Sequence, residues 1–121
     1  MQEQCRELLE RSKARNGVAG RVRDLLLARP GDPPTAEHVA REFLMSSRTL
    51  RERLAAEGTS YRELLDEIRE RLAEEMLVAG LTVAQVAERL GYLEVSSFSH
   101  AFRRWKGMGP RAYRTAQSAS A

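Results

Sequence analysis

Apolar residues return along this chain at intervals of three and four, the period of a helix with one side facing a core. From Val18 they fall at Val22, Leu25, Leu26 and Leu27, and the pattern stops at Pro30-Gly31. Gly31-Asp32-Pro33-Pro34 reads as a turn, and the Thr35 hydroxyl is placed to cap the helix that follows. Another helical stretch starts at Ser47 and ends near Gly58. Ser60 and Glu63 have the spacing of a capping box. They open the longest stripe, Tyr61, Leu64, Leu65, Ile68, Leu72, Met76 and Leu77, which Gly80 closes. Thr82 and Gln85 repeat the capping box, and the last helix starts after Gly109 with Pro110 in its first turn and Tyr113 on its inner side. No strand-like alternation occurs. The pattern predicts an all-α chain of seven helices.

Two of these stretches are one unit written twice. Thr35 matches Thr82, Val39-Ala40 matches Val86-Ala87, and Phe43 matches Leu90. After a turn one residue longer in the second copy, Leu50 and Leu54 match Phe98 and Phe102. A short helix, a tight turn and a second helix with apolar residues four apart is the geometry that seats a helix in a DNA groove. Duplication of such a unit predicts two helix–turn–helix lobes, residues 17–58 and 81–115, joined by a long helix over 59–80. Residues 1–16 read as a linker or frayed helix, and 116–121 as a disordered tail.

Composition adds a direction to this picture. Formal net charge is +3, but Met1 to Leu81 carries fourteen basic and fifteen acidic residues, and Thr82 to Ala121 six against two. The basic half fits a surface that faces a polyanion. Eighteen of the twenty basic residues are Arg, whose planar fork suits guanine edges and phosphates; a GC-rich genome would raise Arg as well. One cysteine, Cys5, excludes an internal disulfide and a multi-cysteine zinc site. No apolar run reaches the roughly 20 residues of a membrane span, and the N-terminus lacks a signal-peptide core, so a cytoplasmic protein is expected. Phosphate cradles of the Gly-x-x-x-x-Gly-Lys-Ser/Thr type, His-Glu-x-x-His and Cys/His clusters are missing from the sequence, which speaks against an enzyme and implies no cofactor.

From Thr82 onward the text becomes specific. Thr82-Val-Ala-Gln-Val-Ala-Glu-Arg-Leu-Gly91-Tyr92 is followed by Ser97-Phe98-Ser99-His100-Ala101-Phe102-Arg103-Arg104-Trp105-Lys106-Gly107, then Pro110 and Tyr113-Arg114. This order resembles the signature of AraC/XylS-type transcription regulators, and Phe43 to Tyr61 resembles the family's first reading helix and the start of its linker helix. The resemblance covers about Val18 to Arg114. It implies that both lobes insert their second helices into successive major-groove turns on one DNA face. It also implies a separate sensing domain before this region, in a bacterial, nucleoid-associated activator that works with RNA polymerase. The fragment itself is expected to be monomeric, any dimer forming through the preceding domain. Two positions depart from the family: His100 stands where Arg is usual, and Glu52 where Arg is frequent.

In helix–turn–helix proteins base contacts concentrate at the N-terminal end of the second helix. That assigns base reading to Arg48, Thr49, Arg51 and Glu52 in the first lobe, opposite Leu50 and Leu54. Ser96, Ser97 and His100 take the matching part in the second lobe. Ser47, Ser99, Arg103, Arg104 and Lys106 are expected at the DNA backbone. His100 can donate or accept a hydrogen bond, with a pH-dependent charge. Glu52 repels phosphate; it can accept from a cytosine amino group or pair with a neighbouring Arg. The competing expectation is a helical protein–protein interaction module whose acidic linker helix binds another protein.

Overall fold

The structure, a computed structural model, describes residues 17–120, with side chains as far as residue 118. The linker reading of residues 1–16, and Cys5 with it, lies outside the described residues. Among the described residues there are seven helices and no strand. Helix α1 runs through residues 17–28. It is followed by α2 (Ala36–Glu42), α3 (Ser47–Ala56), α4 (Tyr61–Val78), α5 (Val83–Arg89), α6 (Val95–Lys106) and α7 (Pro110–Ser120). Among the described residues no helix is long and apolar enough to cross a membrane. The tail expected to be irregular from residue 116 is instead helical as far as Ser120. Ala116 and Gln117 are good helix formers with no Gly or Pro to stop them.

Local hydrogen bonds explain where the helices begin. The hydroxyls of Thr35, Ser46 and Thr82 accept from the backbone N–H groups of His38, Thr49 and Gln85 at 3.1 Å each, and Ser60 accepts from Glu63 N at 3.1 Å. Of these four caps, Thr82 with Gln85 alone closes the full box, the Gln85 side chain accepting in return from Thr82 N at 2.9 Å. The ends follow one recipe. After α2, Leu44 N donates to Arg41 O and Met45 N to Ala40 O; after α5, Gly91 N donates to Glu88 O and Tyr92 N to Ala87 O. This pair of bonds needs a left-handed residue at the crossing point. Gly91 supplies it at φ 87°, whereas the first copy holds Leu44 there at φ 58°.

By packing, the chain divides into two units, each with its own core. The first comprises the residues through Ala28 with Pro34–Leu65, and the second Arg29–Pro33 with everything from Asp66. Helix α4 runs through both: its first turn belongs to the first unit and the rest to the second. In the first unit Ala19, Val22, Leu26, Val39, Ala40, Leu50, Leu54 and Leu64 are buried. The N-terminus of α1 is held by Glu57, whose carboxylate accepts from Val18 N at 3.2 Å and Ala19 N at 3.4 Å. Arg21 lies over the Phe43 ring at 4.0 Å, and the Tyr61 hydroxyl donates to Pro34 O.

The second unit buries Ala73 and Leu77 of α4 with Val86, Ala87 and Leu90 of the α5 copy and Phe98 and Phe102 of α6. Phe102 is the hub, its ring centroid 5.8 Å from Phe98, 6.3 Å from Trp105 and 5.3 Å from Tyr113, at the tilted and edge angles that aromatic rings favour. Arg114 Nε donates to Leu77 O at 3.2 Å, a second bond to a carbonyl that also accepts from Gly80 N at the end of α4. Arg29–Pro33 falls in this unit because Gly31 and Gly91 bring two backbones together. A Cβ added at Gly31 would meet Arg89 O at 2.6 Å, and one at Gly91 would meet Gly31 O at 2.4 Å. No residue boundary read from helical periodicity shows such an approach.

Candidate nucleic-acid interface

Leu50 and Leu54 turn one side of α3 inward, and Phe98, Ala101 and Phe102 do the same for α6. The opposite sides therefore stand clear of each core. On α3 the residues three and four apart that share this outer stripe are Arg48, Arg51 and Glu52, all exposed. Arg48 Nε donates to Glu52 Oε1 at 3.0 Å, a pair one helical turn long whose side chains are 87% and 64% exposed. Of the two possibilities open for Glu52, the pairing with a neighbouring Arg is present. Thr49 is half-buried and its hydroxyl accepts from Ser46 Oγ at 2.9 Å, so it belongs partly to the helix cap. Ser47 is half-buried beside a hollow that Leu50, Arg51, Ser60 and Tyr61 also line.

On α6, Ser96, Ser97 and His100 are exposed. Ser96 Oγ donates to Glu94 Oε2 at 3.4 Å, and Glu94 precedes the helix without capping it. Ser99 is half-buried in a shallow crevice with Val83, Val95, Arg103 and Pro110. Arg103 and Arg104 are exposed in the last turn, where cations also suit the helix dipole.

Lys106 parts company with them. Its Nζ lies 3.4 Å from Glu70 Oε1 and pairs with Glu74 Oε1, its side chain is 29% exposed, and the Tyr113 ring is 5.9 Å away. Expected at phosphate, it is committed to two carboxylates of α4 in its own unit. Two leucines complete the surroundings of the reading helices: Leu44 is 94% and Leu93 101% exposed, each in the turn that leads into one of them. Tyr92, next to Leu93, is half-buried against Phe98 in the second unit, with Arg69 over its ring at 5.0 Å. Burial pushes its hydroxyl above the usual tyrosine value, against the pull of the Arg69 charge.

The sequence and the fold have known counterparts. A family model described as a helix-turn-helix domain matches residues 39–116. The HTH-type transcriptional regulator Rv1395 of Mycobacterium tuberculosis is 51% identical over 111 residues, covering 91% of this chain and 32% of that protein. The chain thus spans about a third of the length of the curated relatives it matches. A DNA-binding transcriptional dual regulator from Escherichia coli K-12 superposes with a TM-score of 0.78 at 34% identity, over 86% of this chain and 94% of that one. The DNA-binding domain of the global transcriptional factor AdpA, solved in complex with a target DNA, gives a TM-score of 0.74 at 28% identity, over 84% and 93% of the two chains.

Proposed function

The chain belongs to the AraC-type helix–turn–helix family of transcriptional regulators, and from that membership we propose that it binds duplex DNA sequence-specifically with both lobes, α3 and α6 entering adjacent major-groove turns. The observation that carries this reading is the repeated stripe: each second helix buries an apolar side and leaves polar and basic residues exposed on the other. Arg51 and the Arg48–Glu52 pair read bases in the first lobe. Ser96, Ser97 and His100 read in the second, with weaker donors and acceptors, and Arg103 and Arg104 hold its phosphates. Lys106 serves the lobe's own packing. In the longer regulator the region acts as a cytoplasmic activator with RNA polymerase as protein partner.

Selection from a random-sequence duplex library tests the reading, followed by titration of the selected site with salt. A shared motif among the survivors and a steep loss of affinity with salt support it; survivors without a motif contradict it. On the selected site Arg51→Ala is expected to cost about 1–3 kcal/mol and to relax preference at one base pair, as loss of a two-pronged guanine contact does. Equal weakening on every sequence would assign Arg51 to phosphate.

The basic residues of α6 make a second, separable prediction. Arg103→Gln and Arg104→Gln should each reduce the slope of log affinity against log salt by about one without changing the preferred sequence. Lys106→Gln should leave the slope alone and lower the melting temperature, because it strands Glu70 and Glu74. A slope unchanged by all three would place no cation of α6 at the backbone.

A further inference from the structure

The Arg48–Glu52 pair contributes little to the fold, since an exposed ion pair one helical turn apart gains little over its separately hydrated charges. Its position is more informative than its energy. It stands on the outer stripe of α3, beside Arg51, where no other part of the lobe uses it. The matching residues of α6 are Ser96 and His100, which make no such pair with each other, so the device belongs to the first lobe alone.

The 3.0 Å bond occupies Arg48 Nε and one Glu52 oxygen. What remains is directional. Both Arg48 Nη groups are left to donate, and Glu52 Oε2 is left to accept. In the major groove guanine offers two acceptors, O6 and N7, while cytosine offers an amino donor. Thymine O4 is an acceptor and faces the carboxylate with like polarity. Adenine has an amino donor too, but its N7 acceptor sits beside it and repels a carboxylate.

We propose that Arg48 and Glu52 read DNA as one unit that selects a guanine next to a cytosine, Arg48 taking the guanine and Glu52 the cytosine amino group. Glu52 has a second effect through its charge. It holds the guanidinium away from phosphate and adds its own repulsion, so it lowers affinity for every sequence lacking the cytosine. Specificity is gained partly by rejecting wrong sites, not only by binding the right one. The unit can act only if α3 lies in the major groove as proposed above, and the experiment separates the two claims.

Selected sites are compared for the wild-type 121-residue chain, Glu52→Gln, Arg48→Ala and the double variant, with affinity for random duplex measured beside them. Melting temperatures within a degree or two of wild type establish that the variants fold. Glu52→Gln should bind random DNA several-fold tighter and lose at least tenfold of its discrimination between cytosine and thymine at one position. Arg48→Ala should relax the adjacent guanine, and the double variant should lose less discrimination than the two single losses combined, the sign of a shared contact. A Glu52→Gln chain that selects the same bases as wild type with unchanged affinity for random DNA overturns the inference and leaves DNA reading by α3 intact. So does a change confined to a base other than cytosine. A wild-type chain that selects no motif overturns the reading on which the inference stands.

Discussion

Gly91→Ala is expected to destabilise the second lobe by about 2–5 kcal/mol, combining the strain of a left-handed alanine with forced displacement of packed backbone. The residue sits at φ 87°, and its Cβ would meet Gly31 O at 2.4 Å. Unlike a flexible side chain, a carbonyl in a tight turn cannot swing aside, and Gly31 is itself pressed against Arg89 O at 2.6 Å from its own would-be Cβ. For a domain of this size the melting temperature should fall by roughly 10 °C or more. The first lobe contains the matched control. Leu44 occupies the equivalent turn at φ 58° and is 94% exposed, so Leu44→Gly relieves strain and clashes with nothing. Its net effect should be stabilising by no more than about 1 kcal/mol, because glycine returns part of the gain as backbone entropy. Opposite signs at two positions of one repeated turn are the expected result. A tolerated Gly91→Ala would mean that the Gly31 loop is not packed as described.

Phe102→Ala should cost about 3–5 kcal/mol, as removal of a fully buried ring does when its cavity cannot collapse. Phe102 is 0% exposed and its ring meets those of Phe98, Trp105 and Tyr113. The damage has a predicted address. Because each unit has its own core, amide-exchange protection should fall further across Val83–Lys106 than across Ala36–Ala56. DNA affinity should fall with it, since α6 keeps its outward stripe only while its inner side is packed. Equal loss of protection in both segments would show one cooperative core in place of two.

Features set by neighbouring residues were legible in the sequence. Thr35 and Thr82 cap their helices as their spacing implies, since a cap is made within three residues of itself. The buried partners of the repeat, Leu50 with Phe98 and Leu54 with Phe102, followed from period alone. So did the exposed stripe of α3, and the four-residue spacing of Arg48 and Glu52 left their pairing open. Contacts across tens of residues were not legible. Glu57 closing on Val18 and Ala19, Arg114 reaching Leu77 O and Lys106 reaching Glu70 and Glu74 each join elements that periodicity does not align. Lys106 is close in sequence to Arg103 and Arg104, but two residues on from Arg104 its side chain leaves that residue's face and meets the carboxylates of Glu70 and Glu74. The Gly31–Gly91 approach was hidden for the same reason, and it moves Arg29–Pro33 out of the lobe to which its order in the chain assigns it.

Base-by-base footprinting of the wild-type chain on its selected site tests the central claim most directly. Two lobes reading adjacent major-groove turns predict two protected segments on one face of the duplex, their centres about 10–10.5 base pairs apart. Arg51→Ala should weaken one segment, and His100→Ala the other. Protection confined to a single segment, or spread evenly without regard to sequence, would contradict it.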